Sequence, residues 1–167
     1  MLTEVVFAFA ILAVCVVLHS SGLVILFEWL TARRSAIEHG TTTANYTLLL
    51  IFTFSIITLL HLSETCVWAA FYYWRRLFPD FETALYFSLS SYTTIGYGDV
   101  LLPHSWRLLG GIEGISGVLL SGLSTAFVFA LVNTIFRLRI EQREVARQKA
   151  VQAASARVSA MRGKSEW

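Results

Sequence analysis

Three apolar runs, each longer than the roughly 20 residues that carry a helix across a bilayer, constrain this chain more than anything else in it. They are Leu2 to Leu30, Tyr46 to about Trp74, and about Trp106 to Phe136. With 56% hydrophobic residues, 14% charged residues and a mean hydropathy of +0.63, the composition excludes an ordinary water-soluble domain. The 167 residues hold a few spanning helices with short connectors. Cys15 and Cys66 both lie inside apolar runs and read as packing residues.

The first run lacks a basic leader and a small-residue cleavage site, and it is too long for a signal peptide. It is expected to be retained as an N-terminal transmembrane helix over 1–30. The polar stretch 31–45, with Arg33, Arg34, His39, Gly40 and three threonines, reads as a loop. Thr43 or Asn45 is positioned to cap the next helix. The second run ends at Arg75-Arg76 behind an interfacial cluster of Trp68, Phe71, Tyr72, Tyr73 and Trp74.

Pro79-Asp80 then restarts a helix, with proline suited to a first turn and Asp80 and Glu82 favoured by the helix dipole. This helix, 80–92, is too short to span. It leads into Thr93-Thr94-Ile95-Gly96-Tyr97-Gly98-Asp99, where two glycines alternate with two large residues. Gly96 and Gly98 can adopt left-handed backbone angles at low cost. That alternation lets successive carbonyls face one side, and several such chains around an axis would stack rings of oxygens able to replace a cation's hydration shell. Irregular backbone at membrane depth requires protein or water around it, so the segment reads as a re-entrant loop.

The third run is rich in small residues, among them Gly110, Gly111, Gly114, Gly117 and Gly122, which allow close helix approach and can also act as bending points. Residues 137–167 form a charged, Ala- and Gln-rich tail with good helix propensity. Val151, Ala154, Val158 and Met161 have coiled-coil spacing, but the pattern does not extend backward past Arg147. Most of the 13 Lys and Arg residues lie in that tail. The positive-inside rule therefore places it in the cytoplasm together with Arg33-Arg34, and the N-terminus outside or in the periplasm.

Thr93–Asp99 resembles the selectivity filter of potassium channels, and residues 46–136 are similar to the pore module of bacterial two-transmembrane potassium channels. The resemblance implies an outer helix at 46–74, a pore helix at 80–92, a filter at 93–99 and an inner helix at 106–136. By that resemblance, K⁺ would be bound by Thr94, Ile95, Gly96 and Tyr97, with Gly98 and Asp99 at the outer mouth and Thr93 in support. The pore-helix end near Ser91–Thr93 would direct its negative dipole toward a central cavity. One loop per chain implies a homotetramer. Aligning the inner helix from Arg107 puts Gly117 at a recurrent hinge position, with Gly122 and Thr125 also on recurrent positions and Phe129 near a constriction. The chain departs from the family pattern at Ser90, where some members carry a glutamate paired with the filter-end aspartate. Tyr86 is then the aromatic donor available to Asp99.

His19, His61, Glu64 and Glu113 fall inside the apolar runs, where ionisable groups are costly and face protein or water. Glu113 is expected to reach the pore helix or the outer helix, with Glu64 at similar depth. It is either a static hydrogen-bonded group or a proton-sensitive gate.

The expected fold is an all-α membrane protein: three transmembrane helices plus a re-entrant pore helix and filter per subunit. The expected function is passive, potassium-selective conduction in the cell membrane. A weakly selective cation channel and a non-conducting regulatory subunit remain open alternatives. Neither enzymatic activity nor a cofactor beyond permeant K⁺ is expected. Lipids are expected partners and nucleic acid is not. No voltage-sensor pattern occurs, so a voltage or ligand stimulus would require a separate regulatory chain.

Overall fold

The computed structural model describes residues 2–33 and 43–164, without the side chains of 2, 43 and 156–164. Residues 34–42 of the expected 31–45 loop lie outside the described residues, as do the side chains of Thr43, Val158 and Met161. The elements are α1 (Leu2–Ala32), α2 (Thr43–Trp74), α3 (Phe81–Tyr92), a 3₁₀ turn (His104–Trp106) and α4 (Arg107–Lys164). No strand occurs among the described residues. Three of the helices are long and apolar enough to cross a membrane.

Two compact units are present, Met1–Val128 and Phe129–Trp167. In the first, α1 packs along α2 and α3 packs on α2. The buried face of α1 carries Ala8, Ile11, Cys15, His19, Leu23, Leu26 and Leu30, spaced by three or four residues as one helix face requires. A Cβ at Gly22 would meet the Leu60 side chain, so the small residue sets how closely α1 approaches α2. Trp68, Tyr72, Phe78, Phe87, Tyr92, Leu109 and Leu120 join Ala8, Ile11 and Cys15 in one core. Cys66, expected to pack, is instead exposed, whereas Cys15 is buried.

The helix ends differ from the sequence reading in instructive ways. α2 already includes Thr43, so Asn45 lies in its first turn and does not cap it. α2 ends in a Schellman arrangement: Leu77 N–H donates to Tyr72 O at 3.0 Å and Arg76 N–H to Tyr73 O at 2.9 Å. The left-handed position this motif requires is held by Arg76, with φ of +55°. Beside it, the Arg75 guanidinium lies 5.0 Å from the Trp106 ring centroid and 5.5 Å from that of Phe7, the cation–aromatic geometry common near membrane interfaces.

Asp80 caps α3 from outside the helix, its Oδ1 accepting from Thr83 N–H at 2.7 Å. Pro79 therefore sits ahead of the cap and not in the first turn. Those hydrogen bonds hold the Asp80 carboxyl below its ordinary pKa. α4 is helical well past 136, through Lys164; residues 123–162 contain neither glycine nor proline to stop it. In the second unit Val151 is exposed, so the described side chains show no apolar seam at that position.

Candidate functional site

The segment after α3 is tied back onto that helix by its N–H groups. Thr93 N–H donates to Leu89 O at 3.1 Å, Thr94 N–H to Ser91 O at 3.0 Å and Gly96 N–H to Ser90 O at 3.1 Å. Tyr97 N–H is 3.2 Å from the Ser90 hydroxyl oxygen. Across a trans peptide the N–H and the preceding C=O point in opposite directions, and no cis peptide occurs among the described residues. The carbonyls of Thr93, Ile95 and Gly96 therefore point away from the α3 groups that hold their partner N–H atoms.

Left-handed backbone recurs at every second residue: Thr94 at φ +60°, Gly96 at +58° and Gly98 at +80°. Glycine adopts this region without penalty, whereas Thr94 does so at a cost of about 1–2 kcal/mol. Glycine identity foretold two of the three positions; nothing in the identity of Thr94 signalled the third. The segment is exposed from Thr93 to Asp99.

Asp99 Oδ2 accepts from the Tyr86 hydroxyl at 2.7 Å, and the Tyr86 and Tyr97 rings stack with centroids 6.2 Å apart. The shared hydrogen bond lowers the Asp99 carboxyl and raises the Tyr86 hydroxyl from their ordinary pKa values. Ser90 does not meet Asp99 in these contacts; it supports Gly96 and Tyr97.

α4 backs this segment with a glycine stripe. A Cβ at Gly110 would lie 3.1 Å from Phe87, one at Gly114 would lie 3.2 Å from Ser91 O, and one at Gly117 would overlap Tyr92 O. Gly117, the expected hinge, thus sits in regular helix at the closest approach of α4 to the end of α3. Gly122 has open space around its Cβ position. The Thr125 hydroxyl donates to Ser121 O at 2.8 Å. In the second unit, Phe129 is exposed. An open groove of about 480 Å³ runs beside Thr94, Gly96, Gly111 and Ile115.

Two buried polar clusters lie behind the segment. Glu113 Oε2 accepts from Tyr72 OH at 2.7 Å, and its Oε1 accepts from Ser88, linking α2, α3 and α4. In the second cluster, His19 Nδ1 is 2.7 Å from Glu64 Oε1, and Tyr92 OH donates to Glu64 Oε2. His61 Nδ1 is 2.8 Å from Tyr92 OH, and Ser124 Oγ lies 2.9 Å from His19 Nε2 and 3.2 Å from His61 Nε2. Reading the sequence singled out the four ionisable residues but missed Tyr72, Ser88, Tyr92 and Ser124. A signal existed: Leu109, Glu113, Ser116, Leu120 and Ser124 fall on one helical face of α4, and all five are buried. Among the described residues, His19, His61 and Glu64 are placed to hold a metal ion, with ligand atoms within 4.8 Å of one another.

Residues 60–134 match the family model described as ion channel, a two-transmembrane ion channel family. The match runs from α2 through the glycine segment into α4. No curated protein and no solved structure matches the chain.

Proposed function

We propose, from the match of residues 60–134 to the ion channel family model, that the chain forms a potassium-selective channel in which Thr93–Asp99 is the filter. One observation carries this reading. Left-handed backbone alternates at Thr94, Gly96 and Gly98 while the N–H groups of Thr94, Gly96 and Tyr97 are held by α3. That arrangement leaves carbonyl oxygens on the open side, where they can take the place of water around a cation. The carbonyls of Thr94, Ile95, Gly96 and Tyr97 and the Thr94 hydroxyl are assigned to the dehydrated ion sites.

A single chain supplies one wall of such a pore, so four copies around an axis are required. α3 is then the re-entrant pore helix, α2 the outer helix and the first part of α4 the inner helix. α1 adds a peripheral helix against α2. The Arg- and Lys-rich end of α4 lies in the cytoplasm by the positive-inside rule, which puts Asp99 at the extracellular mouth. Ions move down their electrochemical gradient, pushed along by neighbours in adjacent sites.

Reconstitution of the full chain into liposomes tests the reading. Potassium flux is expected, with reversal potentials in mixed K⁺ and Na⁺ solutions following the K⁺ gradient, and Gly96→Ala should abolish it. Reversal potentials indifferent to the K⁺/Na⁺ ratio would replace it with a weakly selective cation pore. Absence of K⁺ flux across several pH values would replace it with a non-conducting subunit.

A further inference from the structure

The cluster joining α1 to the rest of the first unit contains more hydrogen-bonding contacts than hydrogens. Six pairs are in contact: His19, His61 and Tyr92 each with Glu64, His61 with Tyr92, and Ser124 with each histidine. With neutral imidazoles and an ionised carboxylate, the four groups His19, His61, Tyr92 and Ser124 bring one polar hydrogen each. Whichever tautomers are chosen, at least one contact sets two electron pairs against each other. Such a deficit in a buried network is costly. The cluster lacks an electron-pair acceptor.

We infer that His19, His61 and Glu64 form a binding site for a divalent transition-metal ion of the zinc class, with Ser124 and Tyr92 as its supporting partners. Two imidazoles and one carboxylate are a donor set that such ions take, leaving a fourth position for water or hydroxide. Nitrogen donors favour zinc-class ions over magnesium or calcium, which prefer an all-oxygen set.

Loading the ion removes the deficit. With His19 Nδ1, His61 Nδ1 and Glu64 Oε1 turned to the metal, both Nε2 atoms carry hydrogens, and the two lone pairs of the Ser124 hydroxyl accept them. Those are the contacts already present at 2.9 and 3.2 Å. The Ser124 hydrogen is then free for a helix carbonyl, and Tyr92 continues to donate to Glu64 Oε2. Ligating histidines characteristically give their other N–H to a fixed oxygen in this way. The His61 side chain is 20% exposed while those of His19 and Glu64 are fully buried, so entry is from the His61 side.

The site bridges α1 and α2, and Tyr92 extends it to the residue immediately before Thr93. Occupancy would therefore fasten the N-terminal helix to the support of the glycine segment. This assignment stands whether or not the chain conducts potassium.

Equilibrium dialysis of the full-length chain in detergent against Zn²⁺ tests it, with Co²⁺ as a spectroscopic probe. The expected result is one Zn²⁺ per chain, a higher melting temperature with Zn²⁺, and visible Co²⁺ absorption typical of four-coordinate sites. His19→Gln and His61→Gln should each weaken binding by about 100-fold or more, and Ser124→Ala by about 10–100-fold through the lost orienting contact. Should those variants fail to fold, wild-type protein suffices: Zn²⁺ should protect the partly exposed His61, but not exposed His104, from acylation mapped by mass spectrometry. Binding below one ion per chain, full binding by folded His19→Gln and His61→Gln variants, or equal acylation with and without Zn²⁺ overturns the assignment. So does a melting temperature that follows pH but not Zn²⁺, which would identify the missing acid as a proton.

Discussion

Gly117 brings the backbone of α4 into direct contact with the carbonyl of Tyr92, at a spot where a Cβ would overlap the Tyr92 oxygen and press on its ring. Both residues are buried, and neither backbone can retreat without moving the end of α3. Gly117→Ala is therefore expected to destabilise the protein by about 1–3 kcal/mol, the usual range for overpacking. Gly122→Ala meets nothing within 4 Å in the chain and should instead gain helix propensity of about 1 kcal/mol. Thermal melts of the two variants in one detergent check the contrast. Equal melting temperatures would show that the close approach is not what requires glycine.

Ser90 holds the glycine segment through two atoms, its carbonyl to Gly96 N–H and its hydroxyl to Tyr97 N–H. Ser90→Ala removes only the second. A neutral hydrogen bond contributes about 0.5–1.5 kcal/mol net; loss of it should reduce the conducting fraction of reconstituted protein by up to about tenfold. Single-channel recording reads this as lower open probability at unchanged unitary current. An unaltered open probability would show that the segment holds its shape without the hydroxyl.

The Tyr86–Asp99 bond gives the proposed outer mouth a pH signature. Asp99 has a lowered pKa because the Tyr86 hydroxyl donates to its ionised form. The contact therefore favours the folded arrangement above the ordinary carboxylate pKa and is lost as pH falls through the lowered value. Tyr86→Phe should move the Asp99 titration upward toward the ordinary aspartate range, while Asp80, held by its own cap, should not move. Carboxyl ¹³C NMR of Asp-labelled protein reads both. An unmoved Asp99 midpoint would remove Tyr86 as the cause.

Arg76 makes the Schellman turn at the end of α2 with a left-handed backbone, φ +55°. Glycine adopts that region freely, so Arg76→Gly is expected to stabilise the fold by about 1 kcal/mol despite the added freedom of the unfolded chain. A melting temperature equal to or below wild type would indicate that the Arg76 side chain contributes more than its backbone costs.

What was legible in the sequence depended on whether a residue carried its own constraint. Gly96 and Gly98 mark left-handed backbone by identity, but Thr94 takes the same region because α3 holds the neighbouring N–H groups, a tertiary cause. The buried face of α1 could not be read in advance, because exposed Val17, Val24 and Ile25 are as apolar as core Leu23 and Leu26, and amphipathic periodicity vanishes when both sides are greasy. His19 stood out as an ionisable residue in an apolar run, yet its partners lie 45 and 105 positions away. Ser90 was read against the family pattern as a carboxylate lost beside Asp99; in the fold its hydroxyl serves Tyr97 instead.

Glu113 separates a packing role from a sensing role in one substitution series. Its two oxygens accept from Tyr72 and Ser88, and the Ser88 hydroxyl also reaches Thr65 O at 2.9 Å. In Glu113→Gln, the amide oxygen keeps the Tyr72 bond. The amide nitrogen donates to Ser88, whose hydrogen turns fully to Thr65 O, so every group retains a partner. Glu113→Ala leaves the buried Tyr72 hydroxyl without its acceptor and opens a void, at about 1–3 kcal/mol for the unsatisfied group alone. The glutamine variant should melt within about 1 kcal/mol of wild type and the alanine variant well below it. Open probability across pH, recorded on Glu113→Gln, then decides between the roles. A response lost in the glutamine variant makes the carboxyl the sensor, and an unchanged response leaves Glu113 as the hydrogen-bonded joint between α2, α3 and α4.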